Sequence, residues 1–490
     1  MKLLKKLTVV SLLLLETTYN LSPLYSSEPW TLPAAISTDV YPLEYCYPCY
    51  NPATQTIIVT SILLNGQMIP VPYFTTFSLL DGWSTPATIS ASPGLSKGNP
   101  FCCYYPDYEK IITLWAANSD NKIVFSTYSS GTLNSAWSEP VIIDNLAESS
   151  TTVSCCYNPT DHNVVATWMN TIDNKPYFST YTEIEGWSTP SAIDNTILAI
   201  YDINCCYDPT SQKVFATWVG EDPFKPYFSS YSQNDGWSTP EIIVNNSTAY
   251  QVFCCADPAT GEVLATWSDR SGQSINGYPY LSTYSSGTGW SQPIQLSMSL
   301  TQAGGPGSAS IVFPSYDTSS NQVIITWPNI DSNAYYSVYS SSGSTSLPAI
   351  ISLIPPFITS YVSIFSCYFP ENNSTIATWI NTDTQYPIYS FYQFSLTPPS
   401  WLSGNQKLNN FALMNELFNT LNWQANSNPN VTGFYLYRNN VLIAELPPTS
   451  TQYQDHNRPS GISTTYTLKS FDSSGDTSAP ISITVKYSTF

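Results

Sequence analysis

Short apolar runs separated by polar turns recur along this chain. From Thr152 the runs read "TVSCCY", "NVVATWM", "PYFSTYT" and "WSTPSAI". Each holds five to seven residues and is rich in Val, Ile, Thr, Tyr, Phe and Trp, the composition of strands. "NPT", "DPT" and "DPA" between the first and second runs are turn signals. The phrase returns as "FCCYYPDYEKIITLW" from Phe101, "SCCYNPTDHNVVATW" from Ser154, "NCCYDPTSQKVFATW" from Asn204 and "FCCADPATGEVLATW" from Phe253. The Trp closing the second run stands at Trp115, Trp168, Trp218, Trp267, Trp327 and Trp379, at spacings of 53, 50, 49, 60 and 52. A second anchor is "GWSTP" at Gly82, Gly186 and Gly236, with "AWSEP" at Ala136 and "GWSQP" at Gly289. A third is "KPYFSTY" at Lys175 with its relatives at Lys225, Val71 and Tyr386.

Four strands in each unit of about 50 residues is the grammar of a β-propeller blade. Seven copies are readable, starting near Cys49, at the four Cys-Cys phrases, at Phe313 and at Cys367. The seventh lacks a Trp-Ser-x-Pro run, and "PWTLPAAIS" (Pro29 to Ser37) carries the same spacing at the other end of the chain. The expectation is an all-β fold: a seven-bladed β-propeller over residues 27–397, closed by its N-terminal strand, which removes an exposed edge. The repeated Trp are expected to pack between blades, although such rings also stack on sugars.

The hairpins "SLLDGW" (Ser78), "TEIEGW" (Thr182) and "SQNDGW" (Ser232) resemble a degenerate Asp-box, the short turn motif of sialidase-like propellers. The resemblance covers residues 28–397 and lacks the usual Thr between Gly and Trp. Sialidases of this architecture use three Arg on the substrate carboxylate, and this ring contains Arg270 alone. The resemblance therefore implies the fold and speaks against sialidase activity.

After a Pro/Ser/Gly-rich linker at 398–407, residues 408–490 resemble a fibronectin type III β-sandwich. Trp423 matches its core Trp, "VTGFYLYRNNVLIAEL" its third strand and following hairpin, and Tyr466 its tyrosine corner. Such modules act as spacers or binding modules, and no Arg-Gly-Asp loop is present.

Composition narrows the function. The 490 residues carry only 10% charged residues, a net charge of −19 and three Arg. No basic stripe exists for nucleic acid. The N-terminus combines Lys2, Lys5 and Lys6 with an apolar run from Leu7 to Leu15, too short to span a bilayer and suited to a signal peptide over 1–26. The chain is therefore expected to be exported (secreted, periplasmic or at the cell surface), with no transmembrane segment.

Export favours disulfides. Adjacent residues of a strand face opposite sides, so each Cys-Cys pair offers one thiol to each neighbouring blade. If the second Cys of one blade meets the first of the next, the pairs are Cys49–Cys102, Cys103–Cys155, Cys156–Cys205 and Cys206–Cys254. Cys46–Cys367 would span the closure and Cys255 is left over. The alternative is that all are small apolar residues packed between blades. Two His and a single Cys-x-x-Cys spacing (Cys46, Cys49) provide no metal set, and no cofactor is expected.

Two His also exclude a credible Ser-His-Asp set. One acidic pattern recurs in the loop after the Trp run: Asp120, Asp173, Asp222, Asp269, Asp331 and Asp383. Six acids on one face could bind a cation, a basic group or a sugar, or each could simply make its own turn. The expected function is a non-catalytic binding or adhesion protein holding a glycan or protein ligand on the loop face. The competing readings are a carbohydrate-active enzyme, a glycoside hydrolase or lyase using two carboxylates, and a structural envelope component. An enzyme should show a deep axial pocket with converging carboxylates; a binder should show shallow sites.

Overall fold

The computed structural model describes residues 30–43, 45–64, 69–89, 98–117, 121–129, 137–145, 147–149, 153–221, 224–270, 277–296, 311–328, 333–340, 343–352, 363–381, 383–393, 399, 401–410, 415–424, 431–471, 477–478 and 480–487. The expected signal peptide, 1–26, lies outside them.

Up to Gln393 the strands form seven antiparallel sheets of one strand order. The third is representative: Ser154–Asn158, Asn163–Asn170, Lys175–Thr182 and the short Gly186–Trp187, with Ser191–Ala192 further along the third strand. The first strands of the seven sheets are Tyr47–Asn51, Phe101–Tyr105, Ser154–Asn158, Asn204–Asp208, Ala249–Asp257, Phe313–Asp317 and Phe365–Phe369. Each of these contacts its successor, and the last contacts the first, so the sheets form a closed ring. Both faces of a sheet are then covered by neighbours. That is why the second strands read as continuous apolar runs: all eight residues of Asn163–Asn170 are buried.

The seventh sheet is completed from the other end of the chain. Ala34 and Ala35 pair with Tyr389 and Ile388, and Trp30 bridges Tyr392. A hydroxyl clamp makes this strand equivalent to the outer strands elsewhere. In the third sheet Ser179 Oγ donates to the Ser188 carbonyl (2.7 Å), while Ser188 Oγ accepts the Thr180 N–H (3.0 Å). In the seventh, Ser390 Oγ donates to the Thr31 carbonyl (2.7 Å) and Thr31 Oγ1 accepts the Phe391 N–H (3.0 Å). The Ser of Trp-Ser-x-Pro therefore clips the third strand to the fourth.

Neighbouring sheets are joined in two layers. Near the axis, the Thr preceding the inner Trp, or preceding Ser61 in the first sheet, donates to a carbonyl of the next sheet. The bonds run Thr60 to Pro100, Thr167 to Ile203, Thr217 to Val252, Thr266 to Val312, Thr326 to Ile364 and, across the closure, Thr378 to Cys46. The second sheet departs from this, because "ITLW" moves its Thr one place from the Trp; Thr113 bonds back to Phe101 of its own sheet. Further out, the Trp of the fourth strand packs edge-on against an aromatic ring of the preceding sheet. Trp187 meets Phe125, Trp237 meets Phe178 and Trp290 meets Phe228 at 5.1–5.5 Å, with interplanar angles of 75–76°. The inner Trp115, Trp168, Trp218, Trp267 and Trp379 are fully buried, so they are core and not sugar platforms.

Residues 401–487 hold two further sheets. One comprises Leu402–Asn410, Asn415–Trp423 and Gln452–Asp455; the other Val441–Leu446, Gly433–Arg438, Thr464–Phe471 and Ile481–Val485. The first strand occupies much of the stretch read from sequence as a linker. Trp423 and Tyr466 are buried in one core with Leu421, Phe434 and Leu468. The Tyr466 hydroxyl donates to Asp455 (2.5 Å) and accepts from Asn419 (2.9 Å).

Candidate functional site

Three of the six recurring acids, Asp120, Asp222 and Asp331, lie outside the described residues. The others are engaged locally. Asp173 accepts from the Lys175 N–H (3.4 Å) and the Tyr177 hydroxyl (3.3 Å), with the Lys175 ammonium at 3.6 Å. Asp269 is buried and accepts the Thr248 N–H (3.0 Å). Asp383 is exposed, in a turn held by Asn381 Oδ1. Among the described residues no three His, Cys, Asp or Glu are grouped to hold a metal ion.

The axis is aromatic at one end. Tyr47, Phe101, Phe253, Phe313 and Phe365, which project from the first strands of five sheets, pack into one cluster. Tyr47 and Phe365 lie 4.0 Å apart between ring centroids, and Tyr47 and Phe101 4.9 Å. Toward the opposite end six sheets place a partly exposed Tyr on the first strand: Tyr50, Tyr104, Tyr157, Tyr207, Tyr316 and Tyr368. Their hydroxyls are pinned by neighbours: Tyr50 to Glu371, Tyr157 to Asp107 (2.8 Å), Tyr316 to Asn321 (3.0 Å) and Tyr368 to Asn373 (3.1 Å). Burial, and then the acceptor carboxylate, push the Tyr50 and Tyr157 phenols well above their ordinary range. Burial and Asp257 push Tyr316 to about 12. All three are neutral donors at physiological pH.

The thiols fall into neighbouring pairs and are free. Cys49 packs with Cys102, Cys103 with Cys155, Cys156 with Cys205 and Cys206 with Cys254. Cys46 packs in the same cluster as Cys367, and burial pushes it up to about 12. Cys255 is also pushed to about 12, chiefly by burial.

A shallow groove lies among the described residues of the sixth and seventh sheets. It encloses about 410 Å³ beside the outer strands of the sixth and seventh sheets. Tyr336, Tyr392 and Val338 line it with Gln322, Thr345 and Ser346. Leu347, 89% exposed, is also part of its lining. The fourth strand of the sixth sheet also departs from the repeat. In the other six sheets a Trp pairs with the third strand at this position: Trp83, Trp137, Trp187, Trp237, Trp290 and Trp30. In the sixth sheet Thr345 stands there, bridging Tyr339. The indole elsewhere packs against the preceding sheet, so its absence here opens the face toward the fifth sheet, where Tyr339 packs with Leu281, while Thr345 also lines the groove. The sequence signal is "TSLP" (Thr345 to Pro348) in the register of Trp-Ser-x-Pro.

Among the described residues the lining carries no charged side chain. Tyr336 and Tyr392 are held against each other (5.7 Å) and against Trp30 (5.5 and 5.3 Å). Gln322 Oε1 is buried without a hydrogen-bond partner, an uncompensated acceptor of the kind that a ligand or water hydroxyl satisfies. Aromatic surface, hydroxyls and an amide acceptor in a shallow groove suit a neutral, hydroxyl-rich ligand.

No protein-family model matches the chain, and no curated protein does. Among solved structures it is similar to the BP39L lectin from Burkholderia pseudomallei, with TM-score 0.55 and 11% identity over 70% of this chain and 94% of that one. It also matches AofleA from Arthrobotrys oligospora (TM-score 0.37, 10% identity, 93% of each chain). A third match is the β-propeller domain of the Trilobed protease from Pyrococcus furiosus (TM-score 0.42, 10% identity, 71% of this chain and 96% of that one). The chain is an all-β protein with propeller-like architecture. No helix of the described residues is long and apolar enough to cross a membrane.

Proposed function

We propose that this is an exported glycan-binding protein, a seven-bladed propeller carrying a fibronectin type III module. The observation that carries the reading is the uncharged groove at Thr345, with its tyrosine pair and the unpartnered Gln322 oxygen. The fold likeness to a lectin supports the ligand class. The apolar run before Leu15 supports export. The buried Trp423 and the Tyr466 hydroxyl bonds support the module assignment. A sugar ring would lie against the tyrosine edges and donate a hydroxyl to Gln322, leaving its other hydroxyls to the serines.

Val338→Trp places an indole at a half-exposed lining position and fills the groove. Screened on a glycan array, the full chain is expected to bind at least one glycan class. Val338→Trp should weaken that binding by about tenfold or more, equivalent to about 1.4 kcal/mol, with no loss of thermal stability. Equal binding by the two proteins, or no glycan bound by either, would overturn the assignment.

A further inference from the structure

We propose that four pairs of inner-strand thiols are modification sites that oxidise to disulfides and tie the first five sheets into one covalent arc: Cys49–Cys102, Cys103–Cys155, Cys156–Cys205 and Cys206–Cys254. The pairs follow from packing. Cys49 and Cys102 share one buried cluster, Cys103 and Cys155 a second, Cys205 and Cys156 a third, and Cys254 and Cys206 a fourth. In three of the pairs the first Cys of the later sheet reaches back to the preceding sheet. Cys102 Sγ lies 3.9 Å from Thr60 Oγ1, Cys205 Sγ 3.7 Å from Ser154 Oγ, and Cys254 Sγ 3.5 Å from Asn204 Oδ1.

The arc stops where the residues change. The fifth sheet offers Cys255 and the sixth answers with Pro314. Between the sixth and seventh a Ser315–Ser366 hydrogen bond (2.7 Å) stands at the thiol positions. At the closure Cys367 faces Pro48 at the matching position of the first sheet. Sheets one to five would be covalently continuous, and sheets six and seven, which carry the groove, would be held by packing and the closing strand.

The oxidant is a disulfide of the exporting compartment, a small dithiol or an oxidoreductase. One protein thiolate attacks its sulfur, forming a mixed disulfide and expelling one thiolate. The partner thiol gives up its proton and attacks the protein-side sulfur, closing the protein bond and expelling the second thiolate. Two protein thiols are oxidised and one small disulfide is reduced to two thiols. The eight thiols are buried or half-buried between packed sheets, where an oxidant has little access once the ring is closed. Oxidation belongs to folding, before the inner strands close.

The test refolds the full chain with mixed oxidised and reduced glutathione, blocks remaining thiols by alkylation, and maps linked peptides without reduction. Eight of the eleven cysteines should be protected from alkylation, in the four stated pairs, with Cys46, Cys255 and Cys367 alkylated. In the double variant Cys103→Ser, Cys155→Ser the other three links should persist, which separates pairing from a general failure to fold. Eleven alkylated thiols, or links between other partners, would overturn the proposal.

Discussion

A chain beginning after Ile36 is expected to lose most of its folding stability and to self-associate, whereas one beginning at Trp30 is not. Residues 30–36 carry the strand that completes the seventh sheet. Removing them breaks the pairing to Tyr389 and Ile388 and the backbone bonds from Thr31 to Phe391 (2.9 Å) and Ile36 to Pro387 (2.8 Å). It empties the site of Trp30 between Tyr336 and Tyr392. It also removes Ile36 from a cluster shared with Ile57 of the first sheet and Phe391 of the seventh. Emptying a buried Trp site alone costs about 3–5 kcal/mol, against a total of about 5–15 for a domain. The exposed edge of Pro387–Gln393 then becomes a template for another chain. Urea denaturation with size-exclusion chromatography reads both effects. An unchanged midpoint and a monomeric truncated chain would show that the ring does not depend on this strand.

Trp218→Ala should be the most damaging single substitution of the inner layer in the fourth sheet. Trp218 is fully buried among Met169 and Ile203 on one side and Ala216 and Tyr227 of its own sheet, stacked on Tyr227 at 6.1 Å. The cavity left by an indole with so many partners costs about 3–5 kcal/mol. Trp237→Ala, in the partly exposed outer layer of the same sheet, should cost clearly less. Thermal and urea unfolding of the two variants gives the comparison; equal losses would mean that the outer aromatic layer bears the stability instead.

Much of the strand pattern was legible because it recurs in side-chain chemistry. The Cys-Cys phrase, the inner Trp and Trp-Ser-x-Pro mark the first, second and fourth strands, and "PWTLPAAIS" pairs with the last sheet from the far end of the chain. The strand at Leu402–Asn410 does not show in the sequence because "WLSGNQK" has turn composition; four of its nine residues are exposed and only Gln406 is buried. The recurring acids looked like a shared site because they recur, yet Asp173 and Asp269 spend their oxygens on nearby N–H and O–H groups. The groove was hidden for the opposite reason. It is bounded by residues that no repeat marks, Gln322, Val338 and Tyr392, brought together only by the packing of the sixth sheet beside the seventh. The Thr-to-carbonyl bonds between sheets were likewise invisible, since "ATW" in a strand reads as ordinary β-branched content.

The central claim is that the groove at Thr345 holds the ligand, and side-chain footprinting with hydroxyl radicals tests it most directly. Leu347 is 89% exposed at the groove, while Leu80 at 91% and Ile184 at 87% occupy other hairpins as internal controls. With a bound glycan, oxidation of Leu347 should fall severalfold while Leu80 and Ile184 stay unchanged. Unchanged Leu347, with protection appearing around Asp173 and Asp383 or at Leu442 in the C-terminal sandwich, would place the ligand elsewhere and contradict the account.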